Sequence, residues 1–308
     1  MKKILVIFLF PLFLILISYE LVHSFTRKEL IRFQYNQHDE KIKVFREETG
    51  ETEELYFEDY IVGVLAGEMP ANFELEALKA QAVAARSYAL KKMLSENQTE
   101  YDVIDTVANQ VYQDEEELKE RWGNDYVSNM NKIKTAVLET KGEYIAYNGE
   151  VIEAFFFSTS SGKTENSEEV FTSARPYLKS VDSSWDAEVS PVFQVENDMS
   201  LHDFYTKLGL PYQDSLQIEV VKQTSTGRMK QVKINGTEMN ASDVRQKLNL
   251  KSTYFTMEQV GNNVHIQTKG YGHGVGMSQY GAEGMAREGK TYEEIIKHYY
   301  QGVEIKKL

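Results

Sequence analysis

Gly67-Glu68-Met69-Pro70 leads almost directly into Phe73 to Met93, a stretch that reads as one long helix. Before it, Phe57 to Ala66 reads as a shorter helix, and Gly67 is suited to be its left-handed C-terminal cap. Pro70 pushes Met69 toward extended backbone, and Asn72 is a natural N-cap with Glu74 and Glu76 near the positive start of the next helix. One carboxylate, Glu68, is thereby fixed at a helix junction. Carbonyls at a helix end and partial burial both disfavour its charged form, so its pKa is expected above the ordinary range, as a proton donor requires. Taken alone, a carboxylate in a loop is more often a surface group. Leu75, Leu78, Ala82, Ala85, Ala89 and Met93 step by three and four and form an apolar stripe, which reads as core. Arg86 borders that stripe, either structurally paired or presenting its guanidinium to a ligand.

Working outward, the chain has 308 residues, 42% hydrophobic and 12% aromatic, enough for a substantial core in one large domain or two smaller ones. The formal charge of −13 argues against nucleic acid as a partner. Without cysteine there is no disulfide, thiol catalysis or cysteine-ligated metal. Lys2 and Lys3 precede an apolar run from Ile4 to Ile17 that continues less strictly to Val22. The run is short enough for a signal peptide, but no small-x-small cleavage site follows it. Residues 1–23 are therefore expected to be a cytoplasmic stub and membrane anchor, 24–48 a stalk, and 49–308 an extracytoplasmic domain.

Helix and strand signals interleave without a fixed βα period, which predicts an α+β fold of mixed helices and antiparallel strands. Strands are expected at Ile42–Phe45, Val151–Phe157, Ile218–Val221, Gln231–Ile234 and Val264–Gln267, and helices at Thr135–Thr140 and Thr291–Tyr300. Residues 199–263 form a candidate inserted subdomain. Gly284 to Thr291 fits the phosphate-loop pattern by letter, but Ala282–Glu288 reads as helix, and too little chain remains for a nucleotide-binding sheet.

Two further stretches carry potential chemistry. Ser158-Thr159-Ser160-Ser161-Gly162-Lys163-Thr164-Glu165-Asn166 is a loop dense in hydroxyls, an amine and an amide, suited to sugar hydroxyls and also readable as a polar surface turn. Gly270 to Gly281 places glycines at alternate positions around His273, so that backbone turns sharply or approaches something closely. His273 reads as a buried, satisfied histidine or as a site-shaping one.

Together these blocks, with Ala77 to Tyr88 and His298-Tyr299-Tyr300, resemble the stage II sporulation protein D family in order along residues 50–306. The resemblance implies a membrane-anchored lytic transglycosylase that cuts peptidoglycan glycan strands between N-acetylmuramic acid and N-acetylglucosamine during engulfment. It implies Glu68 as catalytic acid/base and a substrate-binding role for Arg86 and Tyr177; from the two stretches above, Ser160, Lys163, Thr164 and His273 are expected as further substrate contacts. It implies partners in stage II sporulation proteins P and M. Some relatives carry a metal near the hydroxyl-rich loop on cysteine and histidine; Phe157 and the lack of cysteine here lead us to expect neither metal nor other cofactor. The same domain also resembles activators of wall amidases, so a glycan-binding activator that cleaves nothing is the alternative.

Overall fold

The computed structural model describes residues 40–95 and 100–308. The expected anchor, and the stalk as far as residue 39, lie outside the described residues. Among the described residues no helix is long and apolar enough to cross a membrane.

The fold is α+β. At Lys41 the chain enters strand β1 (Lys41–Arg46), whose alternate residues Ile42 and Val44 are fully buried. It pairs antiparallel with β2 (Glu51–Tyr56) and parallel with β3 (Val103–Ile104). Between these strands run helices α1 (Phe57–Glu68) and α2 (Leu75–Met93). A single apolar stripe was expected on α2, but Ala77, Leu78 and every residue from Ala80 to Leu90 are buried. Alanine on nearly every face lets neighbours approach from all sides, as a helix apolar all round demands. Those neighbours include α1, α4 (Tyr126–Glu139), α9 (Gln279–Arg287) and α10 (Tyr292–Tyr299).

Helix α3 (Glu115–Trp122) precedes α4 and starts at a capping box, Asp114 accepting the Glu117 N–H while the Glu117 side chain accepts that of Asp114. Beyond α4, strand β4 (Glu143–Tyr147) lies between β5 (Glu150–Val151) and the C-terminal β14 (Glu304–Lys307). The strand expected at Val151–Phe157 is broken: β5 ends at Val151, and pairing resumes at β6 (Phe156–Phe157), which runs parallel to β13 (Met277–Ser278). Two single-turn helices follow, α5 (Ser167–Val170) and α6 (Asp186–Val189).

A second core forms from Leu201, Phe204, Leu208, Val232, Ile234, Val244, Leu248, Phe255, Val264 and Ile266. Its elements are β7 (Gln194–Ser200), α7 (Leu201–Leu208), the hairpin sheet β8 (Ile218–Gln223), β9 (Met229–Ile234) and β10 (Thr237–Asn240), then α8 (Ala241–Leu248), β11 (Phe255–Val260) and β12 (Asn263–Lys269). The candidate subdomain is thus somewhat longer than 199–263. It opens and closes on one paired rung, Gln194 opposite Lys269.

The glycine loop then threads back through the larger unit. Gly276 has φ +81°, and a Cβ there would meet the Phe155 carbonyl oxygen at 2.0 Å, so no other residue fits this crossing. The first half of the phosphate-loop letters, Gly284 to Arg287, falls on helix, since α9 ends at Arg287, and Gly284 packs against Trp185.

Candidate active site

Gly67 is not the left-handed cap. It lies inside α1, and the last helical residue is Glu68, followed by extended Met69 at φ −123°. The reason is a close approach: a Cβ on Gly67 would stand 2.6 Å from the Val111 carbonyl oxygen. Asn72 is likewise not the N-cap of α2; Glu74 is, and its backbone N–H donates to Glu283 Oε2 at 2.6 Å instead of to a local side chain.

The loop that Gly67 admits supplies the first hydrogen bond to the candidate acid. Val111 N–H donates to Glu68 Oε1 at 2.7 Å, and Gln279 Nε2, at the start of α9, donates to Oε2 at 3.4 Å. Burial raises the Glu68 pKa above its ordinary value of 4.5, and these two hydrogen bonds offset only part of the rise. No cation enters among the causes of the shift. The direction agrees with the expectation, but the dominant cause is loss of water and not the helix end.

Glu68 borders a cavity of about 570 Å³ lined by Gly67 to Asn72, Arg121, Trp122, Asp125 and Asn129. Arg121 donates Nη2 to the Ala66 carbonyl at 2.5 Å and stacks its guanidinium 4.9 Å from the Trp122 ring centre. That bond answers one of the open carbonyls of α1. The cavity therefore offers a protonatable carboxyl, a guanidinium and an indole, which suit the oxygen atoms and the apolar face of a sugar.

Of the residues expected at the site, only Glu68 lines this cavity. Arg86 is fully buried and forks onto Glu58, Nε to Oε1 at 2.9 Å and Nη2 to Oε2 at 2.8 Å, while Nη1 donates to the Glu143 carbonyl at 2.9 Å. Its substrate-binding assignment is therefore corrected: an enclosed, fully engaged guanidinium ties α2 to α1 and β4 and reaches no ligand. Ser160 is corrected on the same ground. It has no exposed surface, and its Oγ donates to Asp186 Oδ2 at 2.9 Å. Asp186 gathers Ser160 N–H, Ser183 Oγ and Ser278 Oγ as well, so the hydroxyl-rich loop is knotted around a buried carboxylate. Burial raises the Asp186 pKa, and those hydrogen bonds hold it down in part.

Thr164 is buried too, its hydroxyl accepting the Val181 N–H at 2.9 Å, which removes it as a substrate contact. Lys163 is exposed on the same loop. Tyr177 is half-buried; its hydroxyl accepts the Glu153 N–H at 3.3 Å and its ring lies 5.6 Å from that of Tyr147. Glu153 also binds Lys92 near the far end of α2. His273 sits among the rings of Phe155, Phe157 and Phe171 at 5.9, 5.7 and 5.6 Å, and its Nδ1 accepts the Val275 N–H. Burial, helped by the charges of Arg228 and Arg245, lowers its pKa to about 4, so it is neutral at ordinary pH. Among the described residues no group of three or more His, Cys, Asp or Glu side chains is placed to hold a metal ion.

Sequence reasoning missed Val111, Arg121, Trp122, Asp125 and Gln279. The signal that could have located α3, and with it Arg121 and Trp122, was the capping-box spacing Asp114 to Glu117.

The chain resembles known proteins over most of its length. Residues 46–147 match the family model described as SpoIID, stage II sporulation protein, a span that holds Glu68, Val111 and Arg121. The chain is 44% identical over 269 residues to stage II sporulation protein D of Bacillus subtilis, covering 86% of this chain and 78% of that one. It is also 44% identical over 270 residues to stage II sporulation protein D of Bacillus amyloliquefaciens, with the same coverage of 86% and 78%. An amidase enhancer of Bacillus subtilis is 34% identical over 298 residues, covering 79% of this chain and 40% of the enhancer.

Proposed function

The chain belongs to the stage II sporulation protein D family, a family of sporulation proteins, and from that premise we propose that it is a lytic transglycosylase of peptidoglycan glycan strands. The observation that carries this reading is a carboxyl of raised pKa at the wall of an open cavity, held by a backbone N–H and an amide and flanked by an indole and a guanidinium.

In the proposed reaction protonated Glu68 gives its proton to the oxygen linking N-acetylmuramic acid to N-acetylglucosamine as the bond from that oxygen to C1 breaks. The C6 hydroxyl of the same muramic residue attacks C1, and the Glu68 carboxylate takes the hydroxyl proton. A 1,6-anhydro ring closes, and the enzyme returns to its starting protonation state. One carboxyl serves both steps, whereas ordinary glycoside hydrolysis needs two. The raised pKa keeps Glu68 protonated further toward neutral pH, and the Val111 N–H steadies the carboxylate that appears between the steps. Trp122 offers a stacking face, and Arg121 offers charge for substrate oxygens.

The test is mass spectrometry of glycan strands incubated with the full chain. Anhydromuramic ends are expected with wild type, and a loss of at least about 10²-fold with Glu68→Gln. Asp125, the other carboxylate of the cavity, distinguishes mechanisms: Asp125→Asn is expected to keep anhydro products. Free reducing ends that vanish equally in both variants would instead mark a two-carboxylate hydrolase.

The identity to an amidase enhancer favours a second reading, a glycan-binding activator. That protein would leave strands uncut and raise the rate of an added wall amidase. In either reading we place the folded unit outside the cell membrane, anchored by the apolar run at residues 4–22, with stage II sporulation proteins P and M as partners.

A further inference from the structure

A second cavity of about 570 Å³ opens between the smaller unit and the glycine loop, and it shares no lining residue with the cavity at Glu68. In a chain of net charge −13, its wall gathers Arg228, Lys230, Arg245 and Lys251 against one carboxylate, Glu169. Glu169 is already engaged by the Ser225 N–H and hydroxyl, both at 2.7 Å. Arg245 donates Nε to the Leu250 carbonyl at 3.3 Å and, like Lys251, makes no ion pair among the described residues. Arg228 donates Nη1 to the Gly272 carbonyl at 2.8 Å and lies 3.3 Å from Glu165, while its Nη2 finds no acceptor.

Arg245, partly desolvated and without a carboxylate partner among the described residues, is costly to keep charged, and an arriving oxyanion would offset that cost through charge-assisted hydrogen bonds. Beside them Tyr271 is 40% exposed, with Lys251 Nζ 4.7 Å from its ring centre. A partly exposed aromatic ring beside cations matches a ligand that joins an apolar ring face to a negative group.

We propose that this cavity binds a carboxylate-bearing saccharide, the carboxylate on Arg245 and Lys251 and a sugar ring on Tyr271. The identity of the saccharide rests on the cell-wall reading above, because a peptide-free glycan strand carries a lactyl carboxylate on every muramic residue. The cavity then holds a stretch of strand apart from the bond being cut.

The experiment is calorimetric titration of the full-length chain, in the Glu68→Gln background to prevent turnover, with a peptide-free tetrasaccharide of alternating N-acetylglucosamine and N-acetylmuramic acid. Arg245→Ala with Lys251→Ala is expected to weaken binding at least about tenfold. Chitotetraose, which lacks the carboxylates, is expected to bind wild type no better than the muramic oligomer binds the double variant. Raising salt should narrow the difference. Unchanged affinity in the double variant, or equal binding of chitotetraose, would overturn the proposal. So would a poly(glycerol phosphate) that binds more tightly than the oligosaccharide and loses affinity in the double variant, since the oxyanion is then phosphate. Circular dichroism checks folding, and Lys251→Gln and Tyr271→Ala singly give the same readout if the double variant unfolds. Failure of the catalytic reading looks different: wild type yields no anhydro ends while this binding persists.

Discussion

At the scale of single residues, Glu68 and Arg86 show how burial decides what a charge does. Burial raises the folded-state pKa of Glu68 above its unfolded value, so the ionised carboxylate weakens the fold. That weakening is absent below about pH 4.5 and grows as pH rises through the raised value. Glu68→Gln is therefore expected to melt above wild type at pH 7, with the gap closing toward pH 4. A lower melting temperature at pH 7 would mean that the carboxylate's bond to Val111 outweighs its desolvation. Catalysis should follow the same proton, kcat/KM falling as pH climbs past the Glu68 pKa. Arg86 is the reverse case, an ion pair that holds the core. Arg86→Ala leaves the buried Glu58 carboxylate with the Gly142 N–H but without its cation and is expected to cost about 3–5 kcal/mol in denaturant unfolding. A variant that keeps wild-type stability yet loses substrate affinity would restore Arg86 to the binding site. The raised pKa of Glu68 was legible because its local setting, a helix end before a proline, is written in adjacent letters. The sequence misassigned Arg86 and Ser160 because their partners, Glu58 and Asp186, lie 28 and 26 residues away and appear only when the chain has folded.

At the scale of elements, the helix junction and the loop across it depend on each other. The missing side chain of Gly67 lets the Val111 segment close over the end of α1, and that segment then donates to Glu68. Gly67→Ala is expected to cost about 1–3 kcal/mol, since a Cβ would press on a backbone oxygen that cannot rotate away. It should also lower kcat more than it raises KM, because the amide that steadies the carboxylate is displaced; an unchanged crystal position of Val111 with full activity would contradict this. Element types were readable wherever periodicity or turn chemistry was strong, as in β9, β12 and α10 with its capping box at Thr291. Val151–Phe157 deceived because an apolar run says that side chains are buried, not that the backbone finds a ladder. Here Ile152 and Ala154 are buried without a continuous strand.

At the scale of the whole molecule, two cores are joined at the Gln194–Lys269 rung and across the buried Arg228–Glu165 contact. Replacing residues 195–268 by a short glycine linker removes Arg228 and Thr226, the two side chains that engage the Glu165 carboxylate. Such a chain is expected to be destabilised by about 3–5 kcal/mol, and adding Glu165→Gln to recover much of the loss, as thermal melts would report. No recovery would show that the larger unit needs more from the smaller one than this contact. The α+β class was legible because hydrophobic patterning is local. The division of the polar residues between two cavities was not, since it depends on how the cores face each other. Where the outgoing and returning strands stand side by side, a whole folded segment can be acquired, exchanged or discarded by one recombination event. Related proteins built on the same scaffold can then differ in what that segment grips while sharing the rest of the fold.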